Sequence, residues 1–180
     1  MVRRNLRSLA VFVVMIVGVL AEPASAKVYV SFYSVQTSFT RLRSVHAFVT
    51  LKGTLDSDGR TIEENYGFSA KTSDPSFLFR SVPQTMLIEK PDYIQRANYH
   101  FSVPVSDETY HKIVKEVQTW WHDPTYQWNI DKRNCVTFVG VVAQMSGLKA
   151  DFPPKLMRKP RNYLDHIAEL NPGVAVLPAP

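Results

Sequence analysis

The chain has 180 residues, of which 45% are hydrophobic and 21% are charged, so it carries enough apolar material for an ordinary globular core. These proportions exclude a disordered tail protein and a long repeat solenoid. The single cysteine excludes an internal disulfide. The formal net charge is +5, but the first 26 residues carry three arginines and one glutamate, so the rest of the chain is only mildly basic. This small charge, without a Lys/Arg-rich stripe, argues against nucleic-acid binding.

The first 26 residues have the layout of a secretory signal peptide. Three arginines precede an apolar run over residues 9–21, and small residues at positions 24 and 26 follow. We expect cleavage after Ala26, which leaves a mature chain that is secreted or periplasmic. An uncleaved segment would instead be a membrane anchor, although its apolar run is shorter than the roughly 20 residues that span a bilayer.

Beyond residue 26, the sequence predicts one catalytic domain and a short extension. We place the domain at residues 27–150 and a Pro-rich C-terminal extension at residues 151–180. Alternating β-branched and aromatic residues predict strands, and apolar residues at helical spacing predict helices. In chain order the strands are 27–35, 44–52, 61–69, 84–89 and 98–105, and the helices are 107–121, 135–146 and, within the extension, 161–170.

The second and third strands are predicted to form an antiparallel hairpin. A turn signal at 56–59 centres it between Ser57 and Asp58, so the numbers of paired residues should sum to about 115. One face of the second strand carries Val45, Ala47, Val49 and Leu51, and the other carries His46, Phe48 and Thr50. The return-strand residues on the side of His46 are then Glu63, Asn65, Gly67 and Ser69. A slip of one residue would place Glu64 and Tyr66 there instead.

Each long helix begins with a capping signal. Ser106 is a good N-cap for the first, and Pro124 disfavours its continuation. Asn134 is the expected N-cap of the second, which makes Cys135 its first residue, and Gly147 occupies the position of a left-handed C-cap. Its buried face should carry Val136, Val139, Val142 and Ala143. We therefore expect an α+β fold, with a small antiparallel sheet packed on the helix that begins with the cysteine.

Cys135 lies where a thiol can become reactive. Free backbone N–H groups and the partial positive charge at a helix N-terminus stabilise a thiolate, which lowers the thiol pKa, and the same groups can hold an oxyanion. A structural cysteine would sit more naturally in the middle of the buried face, but placement alone leaves both interpretations open. A nucleophilic cysteine also needs a base within hydrogen-bond reach and a polar group that orients that base.

Five histidines are candidates for the base. His46 lies among apolar residues on a strand, where a lone histidine is often a core residue bonded to a carbonyl. His100 alternates with polar residues on another strand and is the competing candidate. The other three, His111, His122 and His166, occupy helical or loop positions where exposure to solvent is the ordinary expectation.

A resemblance to a known family favours His46. A strand histidine in SVHAFVTL, a return strand through NYGF, and a late helix that opens NCVTFV after the aromatic segment YQWNIDKR resemble the circularly permuted branch of the NlpC/P60 papain-like superfamily. In that branch the strand histidine precedes the helix cysteine. The branch includes the lecithin retinol acyltransferase group and many bacterial secreted hydrolases. The resemblance spans residues 28–148.

The resemblance implies a permuted papain-like core in which Cys135 is the nucleophile and His46 is the general base, which later protonates the leaving group. The orienting residue of the family falls on the strand after the histidine. We select Asn65 there, because its amide oxygen can accept the imidazole N–H without adding a charge. The implied activity is that of a secreted or periplasmic cysteine amidase or peptidase that acts through an acyl-enzyme on a peptide, with peptidoglycan as the leading substrate class. No metal or organic cofactor is expected.

Two other functions remain compatible with these residues. One is acyl transfer or lipid hydrolysis by the same fold, and the other is a secreted binding module that keeps the scaffold without catalysis. No nucleic-acid partner is expected. Contact with a membrane is expected only through an uncleaved signal segment, and the oligomeric state is left open.

Other residues near the predicted site have ordinary interpretations. An aromatic group could line a groove for sugar or peptide, but core packing is preferred for its members Trp120, Trp121, Tyr126 and Trp128. Lys132 and Arg133 could meet an anionic substrate, and we favour a solvated turn. Adjacent Glu63 and Glu64 face opposite sides of a strand, which excludes paired-carboxylate glycoside chemistry.

Overall fold

The computed structural model describes residues 27–36, 45–72 and 74–173. The predicted signal peptide at residues 1–26 and the last seven residues of the chain lie outside these ranges. The strands are β1 (Val28–Gln36), β2 (Val45–Thr54), β3 (Thr61–Ala70), β4 (Gln84–Leu87) and β5 (Asn98–Val105). The helices are α1 (Pro91–Arg96), α2 (Asp107–His122), α3 (Cys135–Met145) and α4 (Pro160–Leu170), with short 3-10 turns at Pro75–Leu78 and Pro154–Leu156.

The strands form one antiparallel sheet in the order β4-β3-β2-β1-β5, which confirms the predicted α+β class. The hairpin of β2 and β3 has the predicted register, because Thr50 pairs with Asn65 and Val49 pairs with Tyr66. Asn65 therefore shares a face of the sheet with His46, as the pairing sum required.

The core lies between one face of this sheet and helices α2, α3 and α4. The face of β2 that carries Ala47, Val49 and Leu51 packs there and is fully buried. Val45 was predicted to belong to this face, but it is 48% exposed because it begins the strand. The predicted inner face of α3 is buried at all four positions: Val136, Val139, Val142 and Ala143. Helix α4 completes the same core with Tyr163, Leu164 and Ile167.

The sheet opens between β2 and β3 at one end. The two strands are paired only from Val49 and Tyr66 toward the hairpin turn. Beyond Tyr66, β3 pairs with β4 instead, from Gly67 opposite Leu87 onward. The first residues of β2, from Val45 to Phe48, thus have β1 on one side and no strand ladder on the other. This gap positions the candidate site.

Two elements differ from the predicted ones. Strand β4 ends at Leu87 rather than at residue 89, because its pairing with β3 stops there. The chain then enters α1, a short helix that the sequence analysis did not predict. Pro91 begins this helix and Asp92 lies in its first turn, which are both favourable signals, but six residues are too few for a periodic pattern. Among the described residues, no helix combines the length and the apolarity needed to cross a membrane.

Asn134 fixes the start of α3 with its whole side chain. Its amide oxygen accepts hydrogen bonds from the backbone N–H groups of Val136 and Thr137, at 2.8 and 3.2 Å. Its amide nitrogen donates to the carbonyl oxygens of Ile130 and Met157, at 2.6 and 2.7 Å. The residue is 3% exposed, so these groups have little access to water. The predicted N-cap is confirmed, and it also ties the helix to the segments on either side.

We expect Asn134→Ala to lower the free energy of unfolding by about 2–4 kcal/mol, because it removes a helix cap and leaves the carbonyls of Met157 and of the half-buried Ile130 without this donor. Urea unfolding followed by circular dichroism measures the change. Asn162→Ala is the control, since Asn162 is exposed on α4 and substitutions of that kind stay within about 0.5 kcal/mol. Equal stability of the two variants would contradict the structural role of the Asn134 side chain.

Candidate functional site

The Cys135 sulfur is hydrogen-bonded to the part of β2 that borders the gap in the sheet. It accepts backbone hydrogen bonds from the N–H groups of Ala47, Val136 and Cys135 itself. The Ala47 amide follows His46 directly and lies on the part of β2 that β3 does not cover. The first residue of α3 is thus bound to the strand backbone beside the predicted base, although the two residues are far apart in sequence.

The electrostatics of the thiol differ from the expectation. A helix N-terminus was predicted to lower the pKa of Cys135, but burial raises it to about 11, and the three N–H groups only reduce that rise. Cys135 is half-buried, and the loss of solvent around its sulfur outweighs the helix terminus, which contributes only about 0.3–1 kcal/mol. The resting sulfur is therefore a neutral thiol at neutral pH.

His46 lies on the face of the sheet that points away from the core, where its ring stacks near Phe48 with centroids 6.2 Å apart. Its Nε2 atom is close to Gly67, where an added Cβ would collide with it. The same Nε2 lies 3.5 Å from Oε1 of Glu89, but it has no well-formed hydrogen bond to any described residue. Burial lowers the pKa of His46 to about 4, so the imidazole is neutral at neutral pH.

Tyr93 shows that the thiol is close to the His46 face. The Tyr93 ring packs on Phe48, with centroids 5.9 Å apart, and so lies on the same face as His46. Its pKa is raised to about 12, first by burial and then by the negative charges of Glu89 and of the Cys135 thiolate. Cys135, Glu89 and Tyr93 are therefore near enough to interact electrostatically around the gap between β2 and β3.

Asn65 does not orient His46 in this structure, contrary to the prediction. Its amide oxygen accepts the backbone N–H of Glu89 at 2.5 Å, and its amide nitrogen donates to the Glu89 carbonyl at 3.1 Å. Both polar ends of the side chain are therefore occupied by one backbone residue. The Asn65 side chain does lie on the predicted face of the sheet. It bonds there to Glu89, in the segment that follows β4, and not to His46 on β2.

Glu89 was not singled out from the sequence, and the structure places its side chain beside His46. Its backbone is held by Asn65, and its carboxylate faces the His46 ring. Burial raises the pKa of Glu89. A signal for it existed, because the predicted strand 84–89 ended on a lone acidic residue. That signal did not predict a neighbour for Glu89, because no short turn fixes the register between β3 and β4.

The remaining histidines are engaged elsewhere or exposed. Nε2 of His100 lies 2.8 Å from the Ser34 hydroxyl, and its Nδ1 lies 2.9 Å from the Asp165 carboxylate. This resembles a serine-histidine-aspartate arrangement, but Ser34 is fully buried and no substrate can reach it. The cluster ties α4 to β1 and β5 instead. His111 and His122 are exposed, and His166 bonds to Asp151. In the part of the chain that the structure describes, no group of His, Cys, Asp and Glu side chains is arranged to hold a metal ion.

The burial of His46 makes stability depend on pH. The unfolded chain binds a proton at His46 near its ordinary pKa of 6.5, whereas the folded protein binds it only near 4. The contribution of the neutral His46 ring to the free energy of unfolding is therefore fully present above pH 6.5. It is lost as the pH falls toward 4, which lowers the free energy of unfolding by about 3 kcal/mol. Burial also lowers the pKa of His100, which adds a loss of the same sign. The raised pKa of Glu89 acts in the opposite direction, since its stabilisation is lost as the pH rises.

Urea unfolding at about pH 7 and about pH 4.5 measures this dependence. The His46→Gln variant should lose most of the decline, because glutamine cannot take up a proton in the unfolded state. His111→Gln, which changes an exposed histidine on α2, should keep the decline of the natural protein. The same pH dependence in all three proteins would rule out a buried neutral imidazole at position 46.

The comparisons with known proteins add no relative to this picture. No protein-family model, no curated protein and no solved structure matches the chain.

Proposed function

We propose that the protein is a thiol hydrolase with a permuted papain-like core, in which Cys135 is the nucleophile, His46 the general base and Glu89 the group that orients the base. The observation that carries the proposal is the binding of the Cys135 sulfur to the Ala47 amide, directly beside a histidine whose far nitrogen faces a carboxylate. Covalent catalysis by a thiol requires a base beside the nucleophile and a third group that orients the base.

In the first half of the reaction, the thiol and the imidazole start neutral. Because Nε2 faces Glu89, Nδ1 is the nitrogen available to take the thiol proton as the sulfur attacks the substrate carbonyl. A carbon–sulfur bond forms and the carbonyl oxygen becomes an oxyanion. Two amides of the first turn of α3 are bonded to the Asn134 side chain, so the N–H of Cys135, which is bonded to the sulfur at rest, is the one that can hold that charge once the sulfur has attacked. The Tyr93 hydroxyl, which has no hydrogen bond to a described residue, can add a second donor.

In the second half, the imidazolium returns its proton to the leaving amine and the carbon–nitrogen bond breaks. The acyl group is then held as a thioester on Cys135. His46 next takes a proton from water as the hydroxide adds to the thioester carbonyl carbon. The carbon–sulfur bond then breaks to release the acid, and the imidazolium returns its proton to the sulfur, which restores the neutral thiol and the neutral imidazole. The Glu89 carboxylate favours each imidazolium that forms, since the charge pair exists only along the reaction path.

We propose an amide of cell-wall peptide as the substrate and a secreted or periplasmic location, as the NlpC/P60 resemblance and the predicted signal peptide imply. Zymography on purified peptidoglycan, with released peptides identified by mass spectrometry, tests the substrate. Iodoacetamide tests the thiol, because the chain has one cysteine. A thiol with a pKa of about 11 reacts slowly at neutral pH unless a base removes its proton. His46→Ala removes the proposed base, so this variant should be labelled more slowly than the natural protein. A binding module would show no cleavage and no dependence on His46.

One observation favours acyl transfer or lipid hydrolysis as a second candidate. Exposed apolar side chains flank the proposed base and its orienting group: Val45 next to His46, and Leu87 and Ile88 before Glu89, with exposed fractions of 48%, 38% and 55%. Such a rim suits an acyl chain. A fluorogenic fatty-acyl ester or phospholipid, assayed beside peptidoglycan with the same enzyme, separates the two substrates.

A further inference from the structure

We propose that a cavity between α2, α3 and the segment at 152–157 binds an organic anion with an apolar body, at a site separate from the thiol. The cavity has a volume of about 420 Å³ and opens beside the turn that contains Lys132 and Arg133. Pockets of about 300–1,000 Å³ are the usual size for small ligands. The proposal does not depend on the thiol being catalytic.

The inner wall of the cavity is apolar. It is formed by the side chains of Trp120, Val141, Phe152 and Met157. The indole N–H of Trp120 already donates to the Glu116 carboxylate at 2.8 Å, so this residue presents ring surface rather than a free polar group. An apolar body that enters the cavity therefore displaces water from carbon surface, which is favourable.

The rim carries an excess of positive charge. Asp131 contributes a carboxylate, but Arg158 neutralises it through two contacts of 2.7 and 2.8 Å. Arg133 lies over the ring of Tyr126, 4.4 Å from its centroid, and donates to the Thr125 carbonyl. The ammonium group of Lys132 forms no hydrogen bond or close ion pair with a described residue, although its charge, after the hydrogen bond and the charge of Arg158, lowers the pKa of Asp131. Because Asp131 is already bonded to Arg158, the exposed ammonium group beside an apolar wall can recognise a carboxylate, sulfate or phosphate group.

A second cavity shares this basic turn. It has a volume of about 240 Å³, and Lys132 and Arg133 line it as well. Its other walls are polar and include Ser81, Gln127 and Asn129. The two basic side chains thus lie between an apolar cavity and a polar cavity. A ligand with an apolar body, an anionic group and a short polar extension matches this order of surfaces.

The cavity is distinct from the thiol site. Thr137 and Val141 of α3 line it, whereas the sulfur at the start of α3 points to the Ala47 amide on β2. A substitution on the rim can therefore test ligand binding without altering the nucleophile or its base.

Titration of the full protein with decanoate by isothermal calorimetry tests the proposal. Decanoate should bind, while acetate, which lacks the apolar body, and decan-1-ol, which lacks the charge, should bind at least about tenfold more weakly. Lys132→Glu should weaken decanoate binding by about tenfold or more, and Val141→Phe should weaken it by filling the cavity. Lys115→Glu is the matched control, since Lys115 is exposed on α2 away from both cavities, and it should leave binding unchanged.

The Cys135→Ser variant should bind decanoate as the natural protein does, which separates this site from the proposed hydrolase. Thermal unfolding of each variant verifies that the fold is kept. Equal binding of decanoate and decan-1-ol together with an unchanged affinity in Lys132→Glu would overturn the proposal, as would the absence of any decanoate binding. If the natural protein binds decanoate but cleaves no peptidoglycan, only the proposed function is overturned.

Discussion

Cys135→Ser is expected to reduce hydrolysis of the substrate by about a thousandfold or more while it leaves the fold intact. A serine hydroxyl is a far weaker nucleophile than a thiol when the only base available is a neutral imidazole. Serine is close in size to cysteine and can accept the same backbone N–H groups from Ala47 and Val136. The rate of substrate cleavage by purified protein, measured at matched concentration, gives the size of the loss.

The control for this experiment is Ser146→Ala, at the C-cap of α3, where the hydroxyl donates to the Val142 carbonyl. This variant should retain the full rate. The free energies of unfolding of Ser146→Ala and of Cys135→Ser should be similar to that of the natural protein. If Cys135→Ser cleaves the substrate at the natural rate, the thiol is not the nucleophile and the hydrolase proposal is wrong.

The sequence was sufficient to predict the elements that depend on local pattern. The register of β2 and β3 followed from one turn, and Asn134 and Gly147 marked the two ends of α3, where Gly147 has the expected left-handed φ of 85°. Turn chemistry and capping are properties of neighbouring residues, so a single sequence reveals them.

The orienting carboxylate could not be predicted in the same way. Its place depends on β3 leaving β2 after Tyr66 and pairing with β4, and the connection from β3 to β4 is too long for a turn rule. Only when Gly67 is known to pair with Leu87 does the register place Asn65 opposite Glu89. The predicted direction of the Cys135 pKa shift was wrong for a related reason. The helix terminus is visible in the sequence, whereas the desolvation of the thiol comes from strands that are distant in the chain.

Glu89→Gln is expected to lower the rate of cleavage by about a hundredfold or more without a loss of stability. Glutamine keeps the shape of the side chain, and the bonds to Asn65 involve only the backbone of residue 89, so the loop stays in place. The lost quantity is the negative charge beside Nε2, which stabilises the imidazolium once the thiol proton has moved.

Asn65→Ala provides the contrast, because it removes both bonds to the Glu89 backbone and leaves the carboxylate intact. It should lower the rate and the stability together, since the segment that carries Glu89 loses its attachment to β3. In Glu89→Gln the loss should appear in kcat at every pH, whereas Asn65→Ala should retain a carboxylate that still supports the reaction in part. A natural rate in Glu89→Gln combined with a severe loss in Asn65→Ala would restore Asn65 as the orienting residue and remove Glu89 from the site.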